Sequence, residues 1–150
     1  MAIITVNDVL DHADRFEKKL AQYYEQVSRR TVREGVRMLT DYMSRHRRRI
    51  REVLAELGPE QTRRVRSTPL PFDPEAADKH CMKDVEIDPD ASAEQVLDTA
   101  IRFDRCLMRL YRTAADESDD PQVREFFESL LSAEKRDAVR LQKIKAMDYF

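Results

Sequence analysis

Residues 31–59, TVREGVRMLTDYMSRHRRRIREVLAELGP, carry the pattern that decides the fold. Val32, Val36, Leu39, Met43, His46, Ile50, Val53 and Leu57 recur at steps of three and four, the period of an amphipathic helix. Thr31-Val32-Arg33-Glu34 has the spacing of a capping box at its start, and Gly58-Pro59 is a stop signal. Helices of the same kind flank it. Phe16, Leu20, Tyr24 and Val27 form a stripe that begins after Thr5-Val6-Asn7-Asp8. Ser92-Ala93-Glu94-Gln95 is a further capping box, opening the stripe Val96, Ala100, Phe103, Leu107, Tyr111 and Ala114. Asp120-Pro121 supplies a cap and a first-turn proline for Val123, Phe127, Leu130, Glu134, Asp137, Leu141 and Ile144.

These signals predict helices near residues 6–29, 31–57, 92–117 and 121–147. Between the second and third, residues 58–91 hold five of the six prolines and no sustained period, with a short helical turn expected near Glu75–Lys79. Such a segment is too long for a hairpin loop and suits a crossover along a bundle. The expected architecture is all-α: one domain over residues 1–150, an antiparallel four-helix bundle of two hairpins joined by a long crossover. The halves resemble each other. A shift of 87 pairs Phe16, Leu20 and Tyr24 with Phe103, Leu107 and Tyr111, and a shift of 91 pairs Val32-Arg33-Glu34 with Val123-Arg124-Glu125.

Composition agrees with this and narrows the function. Only 2 glycines occur, and 37 % of residues are charged against 41 % hydrophobic, a balance for striped helices rather than a disordered chain. The net charge of -2 predicts no nucleic-acid partner from bulk charge. No apolar run reaches the roughly 20 residues of a membrane span. The N-terminus does not read as a secretory signal, and Cys81 and Cys106 form no C-x-x-C pair, so free thiols and a cytoplasmic location are expected. The arginine tract Arg45–Arg51 is read as a solvated outer face, with His46 and Ile50 turned inward.

The inner stripes stop being apolar near the helix midpoints, at Glu17, His46, Asp104, Glu134 and Asp137. In an up-down bundle these positions share one height. By this reading no Lys or Arg reaches them, so a divalent cation is the expected neutralising partner, carboxylate and imidazole suiting iron, manganese or zinc. Tyr24 and Tyr111 lie on the same stripes, as core aromatics or hydrogen-bond donors to the cluster. The pattern resembles the rubrerythrin branch of the ferritin-like superfamily over essentially all four helices. That resemblance implies one Glu on the first helix of each hairpin and Glu-x-x-His on each second helix, together binding two metal ions. Glu17 matches the first position and Asp104 its counterpart. Met43-Ser44-Arg45-His46 matches one Glu-x-x-His with Met43 in place of Glu, and Glu134-Lys135-Arg136-Asp137 the other with Asp137 in place of His. It implies iron binding or peroxide- or oxygen-linked redox chemistry as an iron- or manganese-dependent oxidoreductase. Met43 would then adjoin the ligands beside Tyr24 and Tyr111, with no rubredoxin module attached. The other expectation is a non-catalytic bundle that has lost its metal and serves as a structural or interaction module. A homodimer is expected because helix one carries apolar residues beyond one stripe (Ile3, Ile4, Val9, Leu10 and Tyr23).

Overall fold

The computed structural model describes residues 3–56, 60–74, 81, 88 and 90–147. Four long helices form the bundle: α1 (Val6–Arg30), α2 (Glu34–Glu56), α4 (Ala93–Asp116) and α5 (Pro121–Ala146). A short helix, α3 (Glu60–Arg66), lies at the start of the crossover, where the sequence reading expects no helix. The turn expected at Glu75–Lys79 lies outside the described residues. The tight links α1–α2 and α4–α5 make two antiparallel hairpins, and the two pack together through α1 and α2 against α4. Phe16 and Tyr23 of α1 both meet the Phe103 ring of α4 edge-on, with centroids 6.2 and 5.7 Å apart. Such contacts are the preferred geometry for aromatic rings in a core.

Three of the four starts follow their sequence signals. Thr5 and Asp8 cap α1 reciprocally, as do Ser92 and Gln95 on α4, and Asp120 caps α5 ahead of Pro121. The second differs. Thr31 ends α1 rather than opening α2: its hydroxyl accepts from Arg33 N at 3.1 Å, one residue earlier than a capping box requires. Arg37 reaches back to the carbonyls of Thr31 (2.9 Å) and Ser28 (3.4 Å), so the link is stitched from the α2 side. Val32, expected on the core stripe, is 82 % exposed as a result.

The crossover is fastened at one end. Val6 N donates to Thr68 O at 2.9 Å and Leu70 N to Ile4 O at 2.8 Å, an antiparallel bridge that seats Leu70 in the core. Further along, Cys81 and Cys106 are joined in a disulfide, which corrects the expectation of free thiols and ties the crossover to α4. Sequence spacing could not reveal this pairing, because the proximity arises only when the crossover folds back over the bundle. The apolar surplus of α1 is also absorbed within the chain. Val9 and Leu10 are buried, Ile4 and Tyr23 pack against the core, and of the five residues only Ile3 stands exposed. Among the described residues no helix is long and apolar enough to cross a membrane.

A disulfide with a sequence separation of 25 restricts the unfolded chain by roughly 2–4 kcal/mol. A thiol reductant should therefore lower the melting temperature by several degrees. The Cys81→Ser/Cys106→Ser protein should melt near the reduced wild type and ignore reductant, and a wild type equally insensitive would count against the bond.

Candidate functional site

The two first helices place a carboxylate by the same local pattern. Ala13, Glu17, Leu20 and Tyr24 on α1 are matched, 87 residues later, by Ala100, Asp104, Leu107 and Tyr111 on α4, and all eight are buried. The second helices bring Glu134 and Asp137 inward from α5, and Met43 from α2. Thus Glu17, Asp104, Glu134 and Asp137 converge at the bundle centre as the stripes predict. What the stripes miss is the cation among them.

Arg47 of α2 is 2 % exposed, and its guanidinium meets all four acids. Nη1 donates to both oxygens of Glu17 at 3.0 and 3.2 Å and to Glu134 Oε2 at 3.4 Å. Nη2 donates to Asp137 Oδ2 at 3.0 Å and forms an ion pair with Asp104. The expectation that no arginine reaches this height is therefore corrected. Among the described side chains of α2, the buried ones are Val36, Leu39, Thr40, Met43, Ser44 and Arg47, so the inward line runs from Met43 to Arg47, not to His46. Ser44 lets α1 approach closely, its hydroxyl donating to Ala21 O at 3.2 Å. His46 lies at the rim with a 23 % exposed side chain, its Nε2 2.7 Å from Asp137 Oδ1 and its ring stacked on Tyr42. The sequence did hold a signal: Arg47 follows Met43 by one helical turn, beside an excess of buried acid.

Four carboxylates around one guanidinium cannot all be ionised cheaply. Burial raises the Glu17 carboxyl to about 8, with the Arg47 charge opposing and neighbouring Glu134 adding to the rise. Burial likewise raises Glu134. Burial would raise Asp137 too, but the contact from His46 and the charge of Arg47 outweigh it and hold that carboxyl below its ordinary value. Arg47 itself is held firmly charged: burial works against it, and the Glu17 and Glu134 carboxylates outweigh burial. Burial thus favours the neutral forms of Glu17 and Glu134, while Asp104 and Asp137 face the fixed charge of Arg47.

Tyr24 and Tyr111 are buried beside this cluster, and burial raises both phenols well above the usual value. The Tyr24 hydroxyl has no hydrogen-bond partner among the described residues. Of the five expected ligands, Asp104, Glu134 and Asp137 each offer an oxygen within 4.8 Å of the other two, a spacing that could hold one ion. Glu17 and His46 stand outside that triad.

The chain is similar to the crystal structure of a "putative ferritin-like diiron-carboxylate protein" from Thermotoga maritima, at a TM-score of 0.63 and 17 % identity, covering 97 % of each chain. No family model and no curated protein matches the sequence. The fold is ferritin-like. The likeness does not single out the rubrerythrin branch.

The raised Glu17 fixes the sign of a pH effect. Between its ordinary 4.5 and about 8, the folded chain holds a proton that the unfolded chain has released. Stability from this group is therefore full below 4.5 and is lost as pH rises through about 8. The lowered Asp137 acts oppositely, contributing above its ordinary 3.8 and losing that contribution only at more acid pH. Thermal melts should give a lower midpoint at pH 8 than at pH 5, and Glu17→Gln should shrink that difference by raising the pH 8 value. A variant as pH-sensitive as wild type would assign the effect to another group.

Proposed function

We propose that this chain is a ferritin-like bundle whose central site is neutralised by Arg47 in place of metal, and that it serves as a non-catalytic structural or interaction module. The observation that carries the reading is the guanidinium contacting Glu17, Asp104, Glu134 and Asp137 together. A guanidinium stays protonated at any physiological pH, so a metal entering this space must first expel a fixed positive charge. The residues present do not fit a two-metal centre. Met43 offers a thioether where the family resemblance requires a bridging carboxylate, and Arg47 fills the space between the remaining acids. The iron- or manganese-dependent redox chemistry implied by that resemblance needs this space for its ions.

One observation favours a second reading. The Asp104, Glu134 and Asp137 oxygens lie within 4.8 Å of one another, near enough to hold one divalent cation if Arg47 swings aside. Such a cation would supply Lewis-acid or redox chemistry, with His46 beside it.

Metal analysis of protein purified without chelator, combined with melts of wild type and Arg47→Met, separates the two. The first reading expects wild type to hold far less than one metal per chain and to melt unchanged in EDTA. Arg47→Met leaves the buried acids uncompensated and should cost roughly 3–5 kcal/mol, with part recovered on adding Mn²⁺ or Zn²⁺. Near-stoichiometric metal in wild type, with a melting point that drops on chelation, would instead establish the second.

A further inference from the structure

A cavity of about 570 Å³ opens on the surface between α2 and α5, above the Glu134–Asp137 end of the cluster. Its size falls in the range of small-molecule sites, roughly 300–1,000 Å³. Four arginines border it: Arg45 and Arg49 from α2, and Arg136 and Arg140 from α5. On α2 the neighbouring arginines have carboxylate partners. Arg45 pairs with Asp41 at 2.8 Å, Arg48 with Glu25, Arg51 with Asp14 at 3.4 Å, and Arg47 with the central acids. Arg49 has no carboxylate partner among the described residues, and neither do Arg136 and Arg140. Three guanidinium groups without a carboxylate partner among the described residues, drawn from two helices, thus border one cavity.

The acids at the floor do not cancel them. Asp137 is engaged by Arg47 and His46, and Glu134 is held towards its neutral form by burial and also engaged by Arg47. The rest of the lining has a different character. Ile50 and Leu130 are half-buried apolar walls. Tyr42, 43 % exposed, presents an aromatic ring backed by the His46 imidazole, with ring planes 8° apart.

We infer that this groove binds a small organic oxyanion, a molecule with a flat apolar body and a phosphate or carboxylate head. The guanidinium forks of Arg49, Arg136 and Arg140 suit the head, since paired N–H donors match two oxygens of one group. Tyr42, Ile50 and Leu130 suit the body. The inference goes beyond the proposed function and does not depend on what neutralises the buried acids. Its test reads anion binding, whereas the test of that proposal reads metal content, so the two can fail separately.

Phenyl phosphate, inorganic phosphate and a short DNA duplex, titrated calorimetrically into the full chain at physiological salt, decide it. Phenyl phosphate should bind at least about tenfold more tightly than inorganic phosphate, because the ring adds apolar contact to the same head. Arg49→Ala/Arg140→Ala should weaken phenyl phosphate by about tenfold or more, while Arg112→Ala, an exposed change on α4, should leave it unchanged. Arg49→Lys/Arg140→Lys keeps the charge but loses the fork and should recover only part of the affinity. Melting curves of each variant establish that it is folded, and the lysine pair serves if the alanine pair is not. The inference is overturned if phenyl phosphate fails to bind at concentrations on the order of 10 mM. Equal losses in Arg112→Ala, full recovery by lysine, or tighter binding of the duplex than of phenyl phosphate would overturn it as well.

Discussion

Everything at the centre of this bundle depends on one guanidinium. Four acidic side chains from three helices are brought to one height, fully or nearly removed from water, and Arg47 from the remaining long helix touches each of them. Without a cation such a cluster opposes folding, since desolvation and mutual repulsion both disfavour ionised carboxylates. With Arg47 present, the cluster becomes a cross-link among α1, α2, α4 and α5. The hairpins meet elsewhere mainly through non-directional packing, which tolerates sliding. The fork of Arg47, fixed to oxygens on both hairpins, ties their relative register to specific atoms. Buried polar groups of this kind can add specificity even where an apolar core would be equally stable.

The internal near-repeat makes the role of Arg47 sharper. Glu17 and Asp104 correspond at a shift of 87, while Met43 and His46 correspond to Glu134 and Asp137 at a shift of 91. By the second shift, the counterpart of Arg47 is Ala138, a small buried residue. One half therefore supplies a long cation where the other carries a small residue. The ligand-type residues are unevenly divided as well, with Met43 neutral and Glu134 acidic at matching places. The half with neutral Met43 is the half that carries Arg47 one turn later. Both features lower the net negative charge of the cluster.

Most of the fold could be read from the sequence because helix stripes and caps are local signals. Phe16, Leu20, Tyr24 and Val27, and the whole Val96–Ala114 stripe, are buried as the period requires. The start of α2 misled because Thr31 satisfies a cap pattern while serving the end of the preceding helix. Arg47 misled for a different reason. Composition rules put arginine outside, and the chemistry of histidine drew the stripe through His46, although a period of 3.6 passes as closely through Arg47. The convergence of Glu17, Asp104, Glu134 and Asp137 was legible because helix midpoints coincide in a bundle. The identity of the neutralising group was not, because it turns on less than a third of a helical rotation. The Cys81–Cys106 link was illegible too, since it depends on the path of a crossover with no periodic signal.

That same rotation explains how one run of arginines serves several ends. Each residue advances about 100° around the helix. With Arg47 pointing to the bundle axis, Arg48 and Arg51 fall to one flank and His46, Arg49 and Ile50 to the other. On the first flank stands α1, whose Glu25 and Asp14 receive Arg48 and Arg51. On the second stands α5, where His46 meets Asp137, while Arg49 borders the cavity with Arg136 and Arg140 and has no carboxylate partner among the described residues. Arg45 points as far from the axis as Arg49, on the opposite side, and is returned to its own helix by Asp41. A tract that reads as a uniform basic face is thus divided by helical angle into a core cation, a hairpin clasp and one side of a basic groove. The division follows from which helix stands opposite each flank: α1 presents acids there, and α5 presents Arg136 and Arg140. Positive charge is therefore spent inside the α1–α2 hairpin but accumulates where α2 faces α5.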